Sequence, residues 1–270
     1  MKIYILCDME GASGVITQEM AWVDINRRDL YEEGRRLLTE DVNSAVSALL
    51  AAGVDELLVC DTHEGGGNNF LWDRILADPR VVYESPYGSC LMPGLDETFD
   101  GLILLGHHAK AGTQGAFLDH TWSSTEWFDF MINSVSVGEI GIEACYAGHW
   151  NVPLVMVQGD DFCCLEAQEL IPGVVTSAVK QGICRSRARG MAPELARQLT
   201  ASRIAEAVNK AAQKAIQPYK PALPMQVRFT ATTTSVCERS ARMPGVTRLD
   251  GRTLECRVHQ QCDVVRWLIG

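Results

Sequence analysis

The feature that most restricts the fold is an apolar run at the start of the chain, Ile3, Tyr4, Ile5, Leu6 and Cys7, followed at once by Asp8, Glu10 and Gly11. Such a run suits a strand buried on both faces of a parallel sheet. A helix is predicted over 29–52, because Leu38, Val42, Ala45, Val46, Leu49 and Leu50 form a stripe spaced three and four apart, and Gly53 fits just past its end. Residues 56–60 (ELLVC) then read as a second strand. Strand, helix, strand is a βαβ unit, for which the right-handed parallel crossover is nearly obligatory.

Further along, strands are predicted over 81–83, 101–105, 152–158 and 174–179, and helices over 72–77, 139–149 and 165–170. Residues 128–137 read as an antiparallel ribbon turning near Asn133 and Ser134. The texture changes from Met191: a helix over 193–216, a linker with Pro218, Pro221 and Pro224, an alternating strand over 225–234, and a turn at Asp250-Gly251. The predicted fold class is α/β: a three-layer α/β/α core around a mainly parallel sheet, plus a smaller α+β lobe. Residues 1–190 form the metal-binding catalytic domain in this reading, and 191–270 the lobe.

Composition excludes several roles. The 270 residues, 47% hydrophobic and 21% charged, are those of an ordinary globular protein, and a net charge of −10 argues against nucleic acid or anionic membrane surfaces as partners. No stretch approaches the roughly 20 uninterrupted apolar residues of a membrane-spanning helix. The N-terminus enters a strand with no signal-peptide pattern, so a cytoplasmic protein is expected. Ten cysteines are present without a Cys-x-x-Cys pair, which favours free thiols and a metal held by histidine and carboxylate instead.

Ligand-type residues recur where strands end: Asp8-x-Glu10, Asp61-x-His63, His107-His108 and Asp160-Asp161. In open α/β sheets those carboxyl ends are where ligands bind. Side chains of an extended segment repeat every two residues, so Asp8 and Glu10 point the same way. At ~5 Å and an effective dielectric of 20 their repulsion costs about 3 kcal/mol, which a bound cation relieves. A helix cap at Asp8 with a solvated Glu10 is the bland alternative, as is a packed histidine at 63. Repetition at several strand ends favours a metal held by Asp8, Glu10, His63 and one of His107 and His108, since adjacent residues of a strand face opposite ways. Glu139 stands in a first helical turn, where the dipole alone favours an acid. His149 and His259 have no such neighbours and read as structural or surface residues. Five ligands are too many for a single tetrahedral zinc that also activates water, so two metals sharing a carboxylate fit better. That predicts hydrolysis, with water as nucleophile and a polarised carbonyl. His120, loop-borne beside Asp119, becomes the proton-transfer residue or an additional nucleophile.

The segments MKIYILCDMEG, LLTEDVN, LLVCDTHEGGGNN, PGLDETFDGLILLGHHAKAGT, VGEIGIEA, AGHWNVPLVMVQGDD and AVKQGICRS together resemble the M55-type zinc D-aminopeptidases of the bacterial dipeptide-transport operon. The likeness runs through nearly the first two hundred residues. It implies two zinc ions per subunit held by Asp8 (bridging), Glu10, His63, His108 and Glu139, with His120 as the catalytic residue. It further implies removal of N-terminal D-amino acids from short peptides such as D-Ala-D-Ala, and a homodecamer of two five-membered rings. The family pattern Ser-x-Asp-x-Glu-Gly has Leu6 at its serine position here, which removes a hydroxyl beside the metals.

Two other functions are open to such a site. Dinuclear sites also serve phosphate esters, but 65–67, three glycines, is followed by Asn68 and Asn69 with no Lys-Ser or Lys-Thr to complete an anion cradle. A non-catalytic peptide-binding relative would leave the six functional positions without a role.

Overall fold

The computed structural model describes residues 1–65, 67–85 and 90–269. Gly66 of the predicted glycine loop lies outside them. In chain order the elements are β1 (Lys2–Cys7), α1 (Gln18–Ala21), α2 (Arg28–Ala51), β2 (Glu56–Asp61), β3 (Val81–Glu84), β4 (Gly101–His107), β5 (Trp127–Ile132), β6 (Val135–Ser136), α3 (Glu139–His149), β7 (Leu154–Asp160), α4 (Asp161–Leu170), β8 (Val175–Cys184), β9 (Arg187–Gly190), α5 (Pro193–Ala212), β10 (Met225–Ala231), α6 (Thr234–Ser240), β11 (Val246–Arg248), β12 (Thr253–Val258) and α7 (Arg266–Ile269).

Seven strands form the main sheet in the order β3-β2-β1-β4-β7-β8-β9, parallel except for β9 at one edge. From β1 the chain winds one way, to β2 and β3; from β4 it winds the other, to β7 and β8. With right-handed crossovers the helices of the two halves lie on opposite faces of the sheet. Accordingly α3 packs on α4, on the face opposite α2, while α5, which follows the last strand of the sheet, returns to pack on α2. The winding reverses between β1 and β4, and the crevice above their carboxyl ends is the natural ligand site. Every residue of β4 and β7, and 3–7 of β1, is buried, which explains why these strands read as unbroken apolar runs.

A second, antiparallel sheet runs β11-β12-β10-β5-β6. It takes strands from both sides of residue 190, and an aromatic cluster of Trp127, Phe130 and Phe229 lies at its centre. The β5–β6 turn has Asn133 and Ser134 at φ 47° and 70°, the two left-handed residues that a tight hairpin requires.

Several elements differ from the sequence expectation: β8 runs on to Cys184 and pairs with an unexpected β9, α5 ends at Ala212, β10 ends at Ala231, and α6, β11 and β12 lie where no element was expected. Two further differences have a visible local cause. Residues 72–77 form turns rather than a helix, because the Asn43 amide on α2 takes up their backbone: Nδ2 donates to Arg74 O at 2.8 Å and Oδ1 accepts from Leu76 N at 2.7 Å. Helix α4 starts earlier than 165 because Asp160 caps it, its side chain accepting from Cys163 N. Among the described residues no helix is long and apolar enough to cross a membrane.

Candidate metal centre

The loops leaving β1 and β4 are clasped at backbone level. Asp8 N donates to Leu105 O at 2.8 Å, and Gly11 N to Gly106 O at 2.6 Å. A Cβ on Gly11 would stand 2.0 Å from His107 O, and one on Gly106, itself at φ +79°, would stand 2.0 Å from Asp8 O. Only glycine permits that approach. It brings the carboxylates that follow β1 against the histidine that follows β4.

Asp8 sits at the centre. Its Oδ1 lies 3.0 Å from His63 Nδ1, and its Oδ2 lies 3.3 Å from His108 Nε2. On one side Glu10 Oε2 approaches His63 Nδ1 at 3.2 Å; on the other Glu139 Oε1 approaches His108 Nε2 at 3.4 Å. The potential ligand atoms of Asp8, Glu10 and His63 fall within 4.8 Å of one another, as do those of Asp8, His108 and Glu139, and those of Glu10, His108 and His120. The chain thus brings together all six residues singled out from its sequence.

Each imidazole is turned by its outer nitrogen. His63 Nε2 lies 2.7 Å from Ala21 O, His108 Nδ1 3.0 Å from Ala109 O, and His120 Nδ1 2.7 Å from Leu118 O. A ring N–H donated outward to a carbonyl leaves the inner nitrogen's lone pair facing the carboxylates, the arrangement that metal-binding histidines adopt. Two inner atoms, Glu10 Oε2 and His108 Nε2, are buried without a hydrogen-bond partner. Leaving such groups unsatisfied is costly, and a divalent cation between them would satisfy both. The donor set, carboxylate oxygens and imidazole nitrogens without thiolate, therefore fits a metal pair.

The electrostatics agree. Burial alone would raise Glu10, yet His63, His108 and His120 hold it well below the usual carboxylate range. Burial likewise opposes ionisation of Glu139, but His108, His120 and the Trp122 N–H bring it down to about 2. Burial would depress His63 and His108, and the facing carboxylates overcome it, raising both well above an ordinary histidine. Without metal the two imidazoles therefore carry protons that a cation would displace.

His120 lies on the loop between β4 and β5, stacked on His108 with ring centroids 3.9 Å apart. Its Nε2 is 3.9 Å from Glu10 Oε1 and 3.8 Å from Glu139 Oε1, and all three residues line the same cavity. The loop is strained on either flank, with Leu118 at φ 50° and Trp122 at φ 62°, ~1 kcal/mol each. Trp122 N repays this by donating to Glu139 Oε1 at 2.7 Å, while its ring stacks on Trp127 of the second sheet. That sheet thereby props one wall of the site.

Sequence reasoning missed several supports. Trp22 Nε1 donates to Glu10 Oε1 at 2.8 Å, and its ring meets His120 edge-on. Lys180, pushed down to about 7 by burial, donates to the backbone oxygens of Glu10 and Val15. Glu166 of α4 accepts from Lys110 N and Gly138 N, and so ties the backbone just after His108 to that just before Glu139. None has a local signature, because each acts across more than ten residues of sequence. Glu143, one helical turn beyond Glu139 in EIGIE, did have one.

Two of the strand-end acids do other work. Asp61 accepts from Asn69 N and Nδ2, and Asp160 from Cys163 N and Phe117 N. His107 turns away from His108 and meets Glu143 Oε2 through Nε2 at 2.8 Å. Burial pushes Glu143 up, and Glu143 in turn raises His107 against the effect of burial.

The cluster floors a cavity of about 400 Å³ walled by Trp22, Leu91, Cys90, Trp122, Ser123 and Ser124. Among the described residues that line it none is lysine or arginine.

An α/β sheet with such a cluster at its switch point is the frame of a metal-dependent hydrolase. The family model of the M55 peptidases, the D-aminopeptidases, matches residues 1–269. The chain belongs to that family, and it is a peptidase. A D-aminopeptidase of Bacillus subtilis (strain 168) is 37% identical over 219 residues, covering 81% of this chain and 78% of that one. Among solved structures, the Zn-dependent D-aminopeptidase DppA from Bacillus subtilis, described as a self-compartmentalizing protease, superposes with a TM-score of 0.91 at 32% identity, over 99% of this chain and 95% of that one.

Proposed function

We propose that the protein removes N-terminal D-amino acids from short peptides, D-Ala-D-Ala among them, with two zinc ions per subunit. Asp8 would be shared between them, Glu10 and His63 would hold one, and His108 and Glu139 the other. The observation that carries this reading is the position of Asp8, one oxygen toward His63 and the other toward His108, common to two ligand triads. Zinc bound there supplies Lewis acidity toward a peptide carbonyl and lowers the pKa of water.

The chain's own residues do the rest. Trp22, Trp122 and Leu91 exclude bulk water from the reacting bond. Trp122 N and His108 fix Glu139, and Lys180 anchors the backbone of Glu10. His120, with Nδ1 held by Leu118 O and Nε2 toward the cavity, carries a proton between attacking water and leaving amine. In this reading the protein acts in the cytoplasm as a homo-oligomer, a decamer, and the self-compartmentalizing character of the Bacillus structure supports the assembly.

The test is metal analysis of purified protein together with turnover of D- and L-alanine p-nitroanilide and p-nitrophenyl phosphate. Two zinc per chain and turnover of the D-amide alone are expected. Phosphatase activity, or amide turnover without metal, would sink the reading. Light scattering of the same sample reads the assembly.

A further inference from the structure

An aminopeptidase must recognise a free α-ammonium group as well as the bond it cuts. Carboxylates are the side chains that receive an ammonium most strongly. On the cavity wall Asp8, Glu10 and Glu139 face imidazoles and, on the reading above, metal. Two acids remain, Glu64 and Glu143.

Glu64 is exposed, on a short turn with its own backbone at φ 49° and ψ 41°. Glu143 differs in every respect. It is 2% exposed, it stands in the middle of α3, and one oxygen is pinned by His107. Residues four apart on α3 share a face, and both glutamates on it meet a histidine from the end of β4. His108 faces Glu139 and His107 faces Glu143, two histidine–glutamate pairs side by side. The first pair points its unpartnered nitrogen at the metal site; the second has its donor already engaged and presents a fixed carboxyl group at the cavity wall.

The spacing suits a dipeptide. Glu139 and Glu143, four residues apart on α3, are separated by a helical rise of ~6 Å. A carbonyl reacting at the level of Glu139 carries its α-nitrogen ~2.5 Å away, and a charge-assisted hydrogen bond adds ~2.8 Å. A carboxylate held in advance loses little freedom when the ammonium arrives.

We propose that Glu143, oriented by His107, receives the substrate's α-ammonium group and so determines that only peptides with a free N-terminus are cut. This rests on the aminopeptidase reading of the same site. His107 is a positioning residue in this scheme.

The test uses zinc-loaded protein of measured metal content and two probes, D-alanine hydroxamate and propionohydroxamate, which differ by the amine alone. Calorimetric binding is compared for wild type, Glu143→Gln and Glu64→Gln, beside turnover of D-alanine p-nitroanilide. Wild type is expected to prefer the amine-bearing probe by about tenfold to a hundredfold, the range for a hydrogen bond to a charged group. Glu143→Gln should abolish that preference with zinc content and propionohydroxamate affinity unchanged, and should raise KM more than it lowers kcat. Glu64→Gln should keep it. Should Glu143→Gln fold poorly, Glu143→Asp, which withdraws the carboxylate by one methylene, is expected to weaken the preference. Retained preference in Glu143→Gln, its loss in Glu64→Gln, or equal weakening of both probes with loss of zinc would each overturn the proposal. Failure of the aminopeptidase reading looks different: wild type itself would turn over no D-alanine p-nitroanilide.

Discussion

Four strand ends of the main sheet carry ligand-type residues, acids at β1, β2 and β7 and histidines at β4, and they divide into two kinds. At β2 and β7, Asp61 and Asp160 accept hydrogen bonds from backbone and amide N–H groups on both oxygens and stabilise the turns that follow. Above β1 and β4, Glu10 Oε2 and His108 Nε2 are buried with nothing to satisfy them. In sequence the two kinds look alike. What separates these structural acids from the candidate metal ligands is whether the fold supplies a donor: Asp61 and Asp160 are given backbone donors, while Glu10 Oε2 and His108 Nε2, where the winding reverses, are not.

The comparison is broken most severely by removing Asp8. Asp8→Ala dismantles both ligand triads, and zinc content together with about three orders of magnitude in kcat/KM should be lost, read by metal analysis and D-alanine p-nitroanilide assay. His120→Ala comes next. A fall of about 10²–10⁴ in kcat is expected with zinc retained, since this residue moves a proton rather than holding the metal. Loss of zinc in that variant would make it a ligand instead.

Acidity sharpens the contrast. In metal-free protein the raised His63 and His108 stabilise the fold fully below an ordinary histidine value of 6.5, and that contribution disappears as pH climbs through their raised values. The lowered Glu10 and Glu139 contribute above an ordinary value of 4.5 and lose it as pH falls through their lowered ones. Metal-free Tm should therefore decline above neutrality, while zinc affinity weakens and activity falls from pH 7 toward 5 as protons compete for the imidazoles. A zinc affinity independent of pH in calorimetry would speak against histidine ligation.

The smallest effect belongs to the structural acids. Asp160→Ala should cost about 1–3 kcal/mol through its lost cap and the unpaired Phe117 N–H, a Tm drop of roughly 2–4 °C per kcal/mol. Zinc content should not change, because this carboxylate is engaged by backbone alone.

The sequence revealed β1, α2, β2 and β4 because burial on both faces leaves unbroken apolar runs, and a helix stripe is local information. Asp8, Glu10 and His63 were legible for the same reason, standing where such runs stop. Glu139 was not, since an acid opening a helix has a sufficient local explanation, and only family likeness raised it to a ligand. Trp22, Lys180 and Glu166 left no trace, because their partners are distant in the chain. The turns at 72–77 were misread as helix for a related reason: the Asn43 side chain that holds them belongs to another element.

The contact between Gly11 and Gly106 has a consequence for how this enzyme can vary. A single methyl group at either position would act as a wedge, prising the carboxylates of one loop from the imidazole of the other before any ligand had been altered. Two residues with no side chain, and no chemistry of their own, thus set the tolerance of the whole reaction centre to change.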